Sequence, residues 1–291
     1  MSSAVADDGA SDEDAGKSAD SVEPDVAPRE EEEAFDRTVD QGSQRLGRSW
    51  VQLGVTGFLG GFDVSIGVLA LLLVQHQTHN PLLAAIAFSS GFIALTLAGS
   101  ELFTENFLLP VAAVVTKRGS PGALVRLWLT TLISNLIAGW LIVALFMVAF
   151  PGLKSTANEI AGSYIKLGVN WHAFALALVG GMLITSMTHL QQGTDSDGVK
   201  LIPAVIVGTL LTLGHVNHAI VASLVCFAAL VAGAPFGYGD WGGLLGLAIG
   251  GNLVGGLALV TVLRLLQLPH KVKEARDEPD ASANDDQTQH S

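Results

Sequence analysis

Three polar side chains interrupt a long apolar stretch: His215, Asn217 and His218, between the apolar runs 201–213 and 219–232. Neither run alone reaches the about 20 apolar residues that a bilayer crossing needs, but the two together do. His218 would then lie near the middle of a membrane, where polar groups are costly unless they face a cavity. An imidazole there can donate, accept or carry a proton, and broken helices at this depth are typical of transporters.

A second polar interruption, 99–106, separates the apolar runs 82–98 and 107–115 and holds two carboxylates, Glu101 and Glu105. We expect Glu101 to cap the half-helix or to bond backbone at the break, the alternative being a proton path through both carboxylates. The two breaks begin at Gly99 and Gly214. Each is followed by an Asn-Leu-x-x-Gly motif, at Asn135 and Asn252.

This recurrence predicts an internal repeat, since each half then reads span, broken span, span. Three crossings are an odd number, so the two halves would be inverted relative to each other. The chain has 291 residues, of which 49% are hydrophobic. We therefore predict an all-α polytopic membrane protein of six transmembrane helices, with helices 2 and 5 broken. The predicted spans are 50–74, 82–115, 124–150, 171–190, 201–232 and 244–268.

The negative charge of the chain is concentrated in its two ends. Residues 1–40 carry 14 acidic and 3 basic side chains, and residues 271–291 carry 6 acidic and 3 basic ones, whereas residues 41–270 carry 7 and 9. We predict disordered acidic tails at 1–44 and 269–291 around a transport domain at 45–268. Basic residues gather beside one membrane face, with only Lys154 and Lys166 on the other. This asymmetry predicts a cell-membrane protein with both termini cytoplasmic.

Several functions find no support in the residues. The chain offers no nucleophile–base pair and no metal-ligand spacing, since His215 and His218 alone are too few ligands. Its single cysteine, Cys226, lies in an apolar run. We therefore expect no enzyme activity, no metal, no cofactor and no nucleic-acid partner.

The stretch Gly99-Ser100-Glu101-Leu102-Phe103-Thr104 resembles the loop within the second membrane helix of the formate/nitrite transporter family. The segment Val216-Asn217-His218-Ala219-Ile220 resembles the second helix break of that family, and both Asn-Leu motifs match. The resemblance covers residues from about 45 to 268. It implies an aquaporin-like fold, a homopentamer with one pore per protomer, and transport of small monovalent anions such as formate or nitrite.

The resemblance also implies roles for individual residues. Thr104 is similar to the loop threonine that contacts the central histidine, and His218 to that histidine. Phe88 and Phe92 resemble narrowing positions of the second helix, while Leu102 and Phe103 flank the loop. Lys166 resembles a lysine of the outer vestibule.

Three positions depart from the family pattern. Asn217 stands where many members have Glu, Leu211 where a constriction phenylalanine is common, and Gly181 where the fourth helix often has a pore-facing Asn. We expect the anion to meet hydrogen-bond donors from Thr104, Asn217 and His218, with proton involvement at His218. The neutral acid would then pass apolar rings at Phe88 and Leu211.

Two other functions stay open from the sequence. The neutral Asn217 in place of a carboxylate is compatible with a pore for a small neutral solute. A membrane scaffold that does not transport, with acidic tails that recruit partners, is the third interpretation.

Overall fold

Helices account for every regular element in the computed structural model, which describes residues 26–277 of the chain. The α-helices are α1 Val26–Gly47, α2 Trp50–Thr78, α3 Pro81–Ala98, α4 Leu109–Val115, α5 Pro121–Ala149, α6 Lys154–Leu167, α7 Trp171–Gln192, α8 Asp197–Leu213, α9 Ala219–Val231, α10 Tyr238–Gly256, α11 Val262–Gln267 and α12 Pro269–Asp277. A 3₁₀ helix, Phe103–Phe107, precedes α4, another spans Pro151–Leu153, and a π-helical segment, Leu257–Thr261, joins α10 to α11.

The ends of the long helices follow from local sequence. Ser49 and Gln52 form a capping box at the start of α2, which satisfies backbone N–H groups that the first turn leaves free. The Asn80 side chain accepts hydrogen bonds from Leu82 N and Leu83 N, and Pro81 occupies the first helical position of α3. Proline is favoured there because its missing N–H would have no partner in the helix.

Five helical stretches are long and apolar enough to cross a membrane: Trp50–Thr78, Pro81–Ala98, Pro121–Ala149, Trp171–Gln192 and Tyr238–Gln267. Two shorter apolar stretches are Phe103–Val115 and Ala219–Val231. The prediction of an all-α multi-pass membrane protein is confirmed. Many large apolar side chains lie on the outer surface of the helices, among them Val51, Ile133 and Val148, as expected where a protein faces lipid.

Two helix crossings use glycine in the same way. A Cβ on Gly61 of α2 would lie 2.4 Å from Asn135 O of α5, and one on Gly181 of α7 would lie 2.0 Å from Asn252 O of α10. Only the absence of a side chain allows these backbones to approach so closely. Gly181, which stands where the family often has a pore-facing Asn, is thus a close contact between α7 and α10.

One end of the bundle, the α1 end, carries α1 and α12 beside α4. Phe35 and Val39 of α1 are buried together with Ala112 and Ala275, and Lys271 Nζ lies 3.2 Å from Asp36 Oδ2. The prediction of disorder is thus wrong for 26–44 and 269–277, because apolar residues spaced along α1 gain partners from distant helices. Residues 1–25 and 278–291 lie outside the described residues.

The opposite end of the bundle, the α6 end, is covered by α6. The polar sequence of this segment indicated a linker between two spans, whereas the structure forms a helix there. Ala157, Ala161 and Tyr164 of α6 are buried, and the helix packs against α9. The His76 ring at the end of α2 lies 3.2 Å from Thr156 Oγ1 of α6. α6 therefore belongs to the packed structure.

Candidate functional site

Thr104 and His218 meet in the interior, where two interruptions of the helices come together. The Oγ1 atom of Thr104 lies 2.7 Å from Nε2 of His218, and both residues are fully buried. Thr104 belongs to the 3₁₀ helix Phe103–Phe107, and His218 is the N-cap of α9. The structure therefore brings together two predicted site residues that are 114 positions apart.

The hydrogen bonds of His218 define its tautomer. Val221 N donates to Nδ1 across 3.3 Å, so Nδ1 is an acceptor and the proton of the neutral ring is assigned to Nε2. That Nε2–H group donates to the Thr104 hydroxyl oxygen. The Thr104 hydroxyl hydrogen then remains available to donate to another acceptor.

Two asparagines hold the backbone on either side of this pair. The Oδ1 atom of Asn135 accepts from Phe103 N at 2.9 Å, while its Nδ2 donates to Gly57 O at 2.6 Å and to Glu101 O at 2.9 Å. The Oδ1 atom of Asn252 accepts from Ala219 N at 2.8 Å, while its Nδ2 donates to Ala177 O and Asn217 O at 2.7 and 3.0 Å. Each amide satisfies backbone groups that an interrupted helix leaves free.

At each interruption one residue adopts a left-handed backbone conformation, but the residue type differs between the two. Gly99 caps α3 with a φ of 61°, a left-handed conformation that glycine adopts at little cost. After α8, Gly214 has a φ of −80°, and it is His215 that takes the left-handed φ of 45°. The ring of His215 lies 3.2 Å from Ser163 Oγ of α6.

Most of the predicted ring residues share one buried apolar cluster. This cluster includes Phe88, Phe92, Leu102, Phe103 and Leu211. The rings of Phe88 and Phe92 meet edge to face with centroids 5.3 Å apart. Their roles as constrictions stay predictions. Lys166 is exposed at the end of α6, and the structure does not bring it to the buried pair.

Asn217 is fully buried, and neither Nδ2 nor Oδ1 of its side chain has a hydrogen-bond partner among the described residues. Burying an unsatisfied polar group costs about 1–3 kcal/mol. Such a group therefore calls for a partner beyond the protein chain, such as water or a bound molecule. Among the three predicted donors Thr104, Asn217 and His218, Asn217 is the one whose side chain makes no hydrogen bond to the described residues.

Glu101 forms ion pairs rather than a helix cap, so our sequence expectation for its side chain is wrong. Its Oε1 contacts Arg48 Nη1 and lies 3.5 Å from Arg45 Nε, and the side chain is 1% exposed. A buried carboxylate needs such compensation. The sequence did not reveal these partners, because α1 and the residue that follows it return to the interruption only in the folded chain. It is Glu105 that bonds backbone here, accepting from Leu102 N.

Asp63 is a buried polar residue that our sequence reading missed. It lies in the middle of α2, is 6% exposed, and its Oδ2 accepts a hydrogen bond of 2.5 Å from Ser100 Oγ. The glycines of α2 indicated close helix packing, and Asp63 among them was not recognised as a site residue. A single carboxylate within a 29-residue apolar helix was the available signal.

A cavity of about 160 Å³ opens toward the α1 end below the interruption at residues 99–106. Its lining includes Arg37, Arg45, Lys200, Ser100 and Glu105. The lining holds three basic side chains and two acidic ones, Glu105 and Asp195, and Arg37 Nη1 lies 3.7 Å from Asp195 Oδ2. Because Ser100 lines the cavity, the cavity reaches the loop that carries Thr104.

This arrangement defines a membrane transport protein: apolar helices of spanning length surround a buried polar pair, and a charged cavity leads toward it. The sequence model described as "Formate/nitrite transporter" matches residues 32–266. The chain belongs to this family, whose members are channels and transporters and not enzymes, and the resemblance seen in the sequence is confirmed.

The chain is also similar to individual known proteins. It is 27% identical over 265 residues to "Uncharacterized transporter YrhG" of Bacillus subtilis (strain 168), covering 87% of this chain and 98% of that protein. A solved structure described as "FNT family ion channel" superposes with a TM-score of 0.71 at 15% identity, covering 80% and 98%. One described as "Pentameric formate channel with formate bound" gives 0.63 at 20%, covering 75% and 97%. These two structures share the fold.

Proposed function

We propose that this protein conducts small monovalent anions of weak acids, such as formate or nitrite, across the cell membrane through a pore that passes the Thr104–His218 pair. The buried contact of 2.7 Å between these side chains carries the proposal. If packing were the only role of this position, two apolar residues would fill it at lower cost than a buried polar pair. The related structure that holds formate supports this class of solute.

The proposed architecture has six crossings in two inverted three-helix repeats, aquaporin-like, with the second and fifth crossings broken. The matching amide contacts of Asn135 and Asn252, together with the matching glycine contacts of Gly61 and Gly181, support a repeat. In this arrangement α3 and the stretch Phe103–Val115 form one broken crossing, and α8 and α9 form the other. The bilayer would then surround a transport domain close to the predicted 45–268.

The proposed assembly is a homopentamer in which each protomer carries its own pore. The related pentameric channel supports it, as do the apolar side chains on the outer helix surfaces. Both termini are placed in the cytoplasm, because basic residues gather at the α1 end while Lys154 and Lys166 lie at the α6 end.

The chemistry proposed for the pore begins with hydrogen bonding. The anion accepts the free hydroxyl hydrogen of Thr104 and an N–H of the Asn217 amide, while the start of α9 contributes the partial positive charge of a helix N-terminus. His218 donates through Nε2 to Thr104 and so orients that hydroxyl. A proton that enters from the aqueous side and joins the anion at this pair would yield a neutral acid, and the neutral His218 ring would keep its own proton. The neutral acid crosses the apolar residues Phe88 and Leu211 at lower cost than an ion.

Uptake of labelled formate and nitrite into proteoliposomes between pH 5 and 8 tests the proposal. Thr104→Val keeps the shape of the side chain but removes the hydroxyl, and His218→Ala removes the ring. We expect both variants to lose uptake. Thr78→Val, at the exposed end of α2, is the matched control and should retain it. Wild-type uptake no faster than in protein-free vesicles would refute anion transport.

A pore for a small neutral solute is the second candidate, favoured by the uncharged and unpaired Asn217. A neutral amide offers one donor side and one acceptor side, which suits an undissociated molecule as well as an anion. Solute flux that ignores both pH and membrane potential would support this function over the first.

A further inference from the structure

We propose that Asp63 is the proton-binding carboxyl group of the transport cycle and receives its proton from the cavity at the α1 end through Ser100. The inference rests on the proposed anion transport and adds to it a second proton-carrying group, distinct from His218.

The position of Asp63 is the first argument. It lies about 20 Å from either end of α2, since a helix rises 1.5 Å per residue, and its side chain is buried. An ionisable side chain at this depth is costly and is usually retained for a function. Asp63 shows no ion pair among the described residues, and Ser100 provides its side-chain hydrogen bond.

A second buried carboxylate in the same region shows how a charge with a structural role is compensated by basic side chains. Glu101 follows Ser100 directly and is compensated by Arg45 and Arg48. Asp63 has a neutral hydroxyl instead. An asparagine at position 63 would hold Ser100 equally well without placing a charge in the membrane, so the hydrogen bond alone does not explain a carboxyl group.

The third argument is a route for protons. Ser100 lines the 160 Å³ cavity at the α1 end, and its hydroxyl donates directly to Asp63. A hydroxyl can pass a proton onward because it both donates and accepts. Ser100 is also four residues before Thr104, so protonation of Asp63 acts on the same loop that holds the buried pair.

The surroundings leave Asp63 as a separate titrating group. α3 carries no titratable side chain. Glu101 and Glu105 lie in the adjoining interruption, and His218 heads α9. Arg126 of α5 donates to Leu46 O and Arg48 O at the α1 end, and α6 meets α2 near His76, at the far end of the helix.

In the proposed cycle the Asp63 carboxylate takes one proton from cavity water through Ser100 as an anion binds. Asp63 then gives this proton to the anion and becomes a carboxylate again, and the anion and the proton leave together on the other side as the neutral acid. One positive and one negative charge then move together, and no net charge crosses the membrane. Anion movement without the proton would instead respond to voltage, by roughly 50-fold in accumulation per 100 mV.

The test compares accumulation of labelled formate in proteoliposomes under two driving forces: an imposed pH gradient, and a potassium diffusion potential set with valinomycin. We expect the wild type to follow the pH gradient and to ignore voltage. Asp63→Asn keeps an acceptor for Ser100, and we expect its accumulation to follow voltage by roughly 50-fold per 100 mV and to ignore the pH gradient. Asp240→Asn, in the first turn of α10, is the matched control and should behave as the wild type.

Two results would overturn the inference: a wild-type response to the pH gradient in Asp63→Asn, or a wild type that already follows voltage alone. Both leave anion transport itself standing, whereas no wild-type uptake would instead refute the proposed function. If Asp63→Asn does not fold, Ser100→Ala takes its place, because it removes the proton route. An unchanged response to the pH gradient in folded Ser100→Ala would contradict the proposal equally.

Discussion

The Asn135 amide makes three hydrogen bonds to backbone atoms of separate segments, and replacing it measures what holds the first interruption in place. Asn135→Ala would remove the bonds to Phe103 N, Gly57 O and Glu101 O. Side-chain hydrogen bonds between membrane helices are worth on average about 0.6 and at most about 1.7 kcal/mol each. Three of them give a loss of about 2 to 5 kcal/mol in the free energy of unfolding.

Asn252→Ala removes the same number of bonds of the same kind at the second interruption, so we expect a loss in the same range. Asn158→Ala is the matched control, because the Asn158 side chain takes part in none of the hydrogen bonds of the described residues and its Oδ1 is unpaired. This variant should unfold close to the wild type.

The assay is unfolding of purified protein in mixed micelles by increasing the fraction of sodium dodecyl sulfate, followed by tryptophan fluorescence. Trp128 donates from its indole to Asn106 O within the first interruption, so its emission should report loosening there. Equal stability of all three alanine variants would refute the reasoning. A large loss in only one of Asn135→Ala and Asn252→Ala would contradict the equivalence of the two sites.

Further predictions concern packing, charge and the unpaired amide. Gly181→Ala should lower thermal stability because its Cβ would lie 2.0 Å from a backbone oxygen, whereas Gly250→Ala, which meets nothing within 4 Å, should not; a thermal shift assay compares them. Glu101→Gln should lower the melting temperature more than Asp195→Asn, because the Asp195 ion pair is 84% exposed at its carboxylate and such pairs are worth less than about 1 kcal/mol; equal shifts would contradict this. Asn217→Leu should unfold at a higher temperature than the wild type, because the apolar side chain removes two unsatisfied polar groups. It should also transport more slowly, because it removes a proposed hydrogen-bond donor; a variant that is more stable and transports at the wild-type rate would contradict the proposed role of Asn217.

The interruptions were readable from the sequence because polar residues within apolar runs mark them directly. Gly99, Gly214 and His218 stand out in this way, and the motifs at Asn135 and Asn252 identified the amides that fasten the backbone. Contacts across the fold were not readable. The partners of Glu101 come from a region that looked like a solvated acidic tail, and only the folded chain places Arg45 and Arg48 beside the buried carboxylate.

Helices at the ends of the bundle escaped prediction for a related reason. α1 and α6 have polar sequences overall, and the few apolar residues that anchor them, such as Phe35 and Tyr164, gain meaning only from the helices they meet. Asp63 escaped because glycines dominate the pattern of α2. The hydrogen-bond partner of its carboxyl group is Ser100, 37 positions away. No local sequence pattern predicts a contact between residues so far apart in the chain.

Helix α1 contains the first described residues to be synthesised, yet its partners lie far along the chain. Arg37 Nε donates to Gln192 O, 155 positions away, and His270 Nε2 lies 3.2 Å from Glu32 Oε1, 238 positions away. Contacts between such distant residues form slowly, because a long loop of chain must close first. During synthesis α1 must wait until α12 has been made before it can make all its contacts. A ribosome that stalls before residue 269 would hold a chain in which the five candidate spanning helices of residues 26–277 have been synthesised, while α12, the partner of α1, has not.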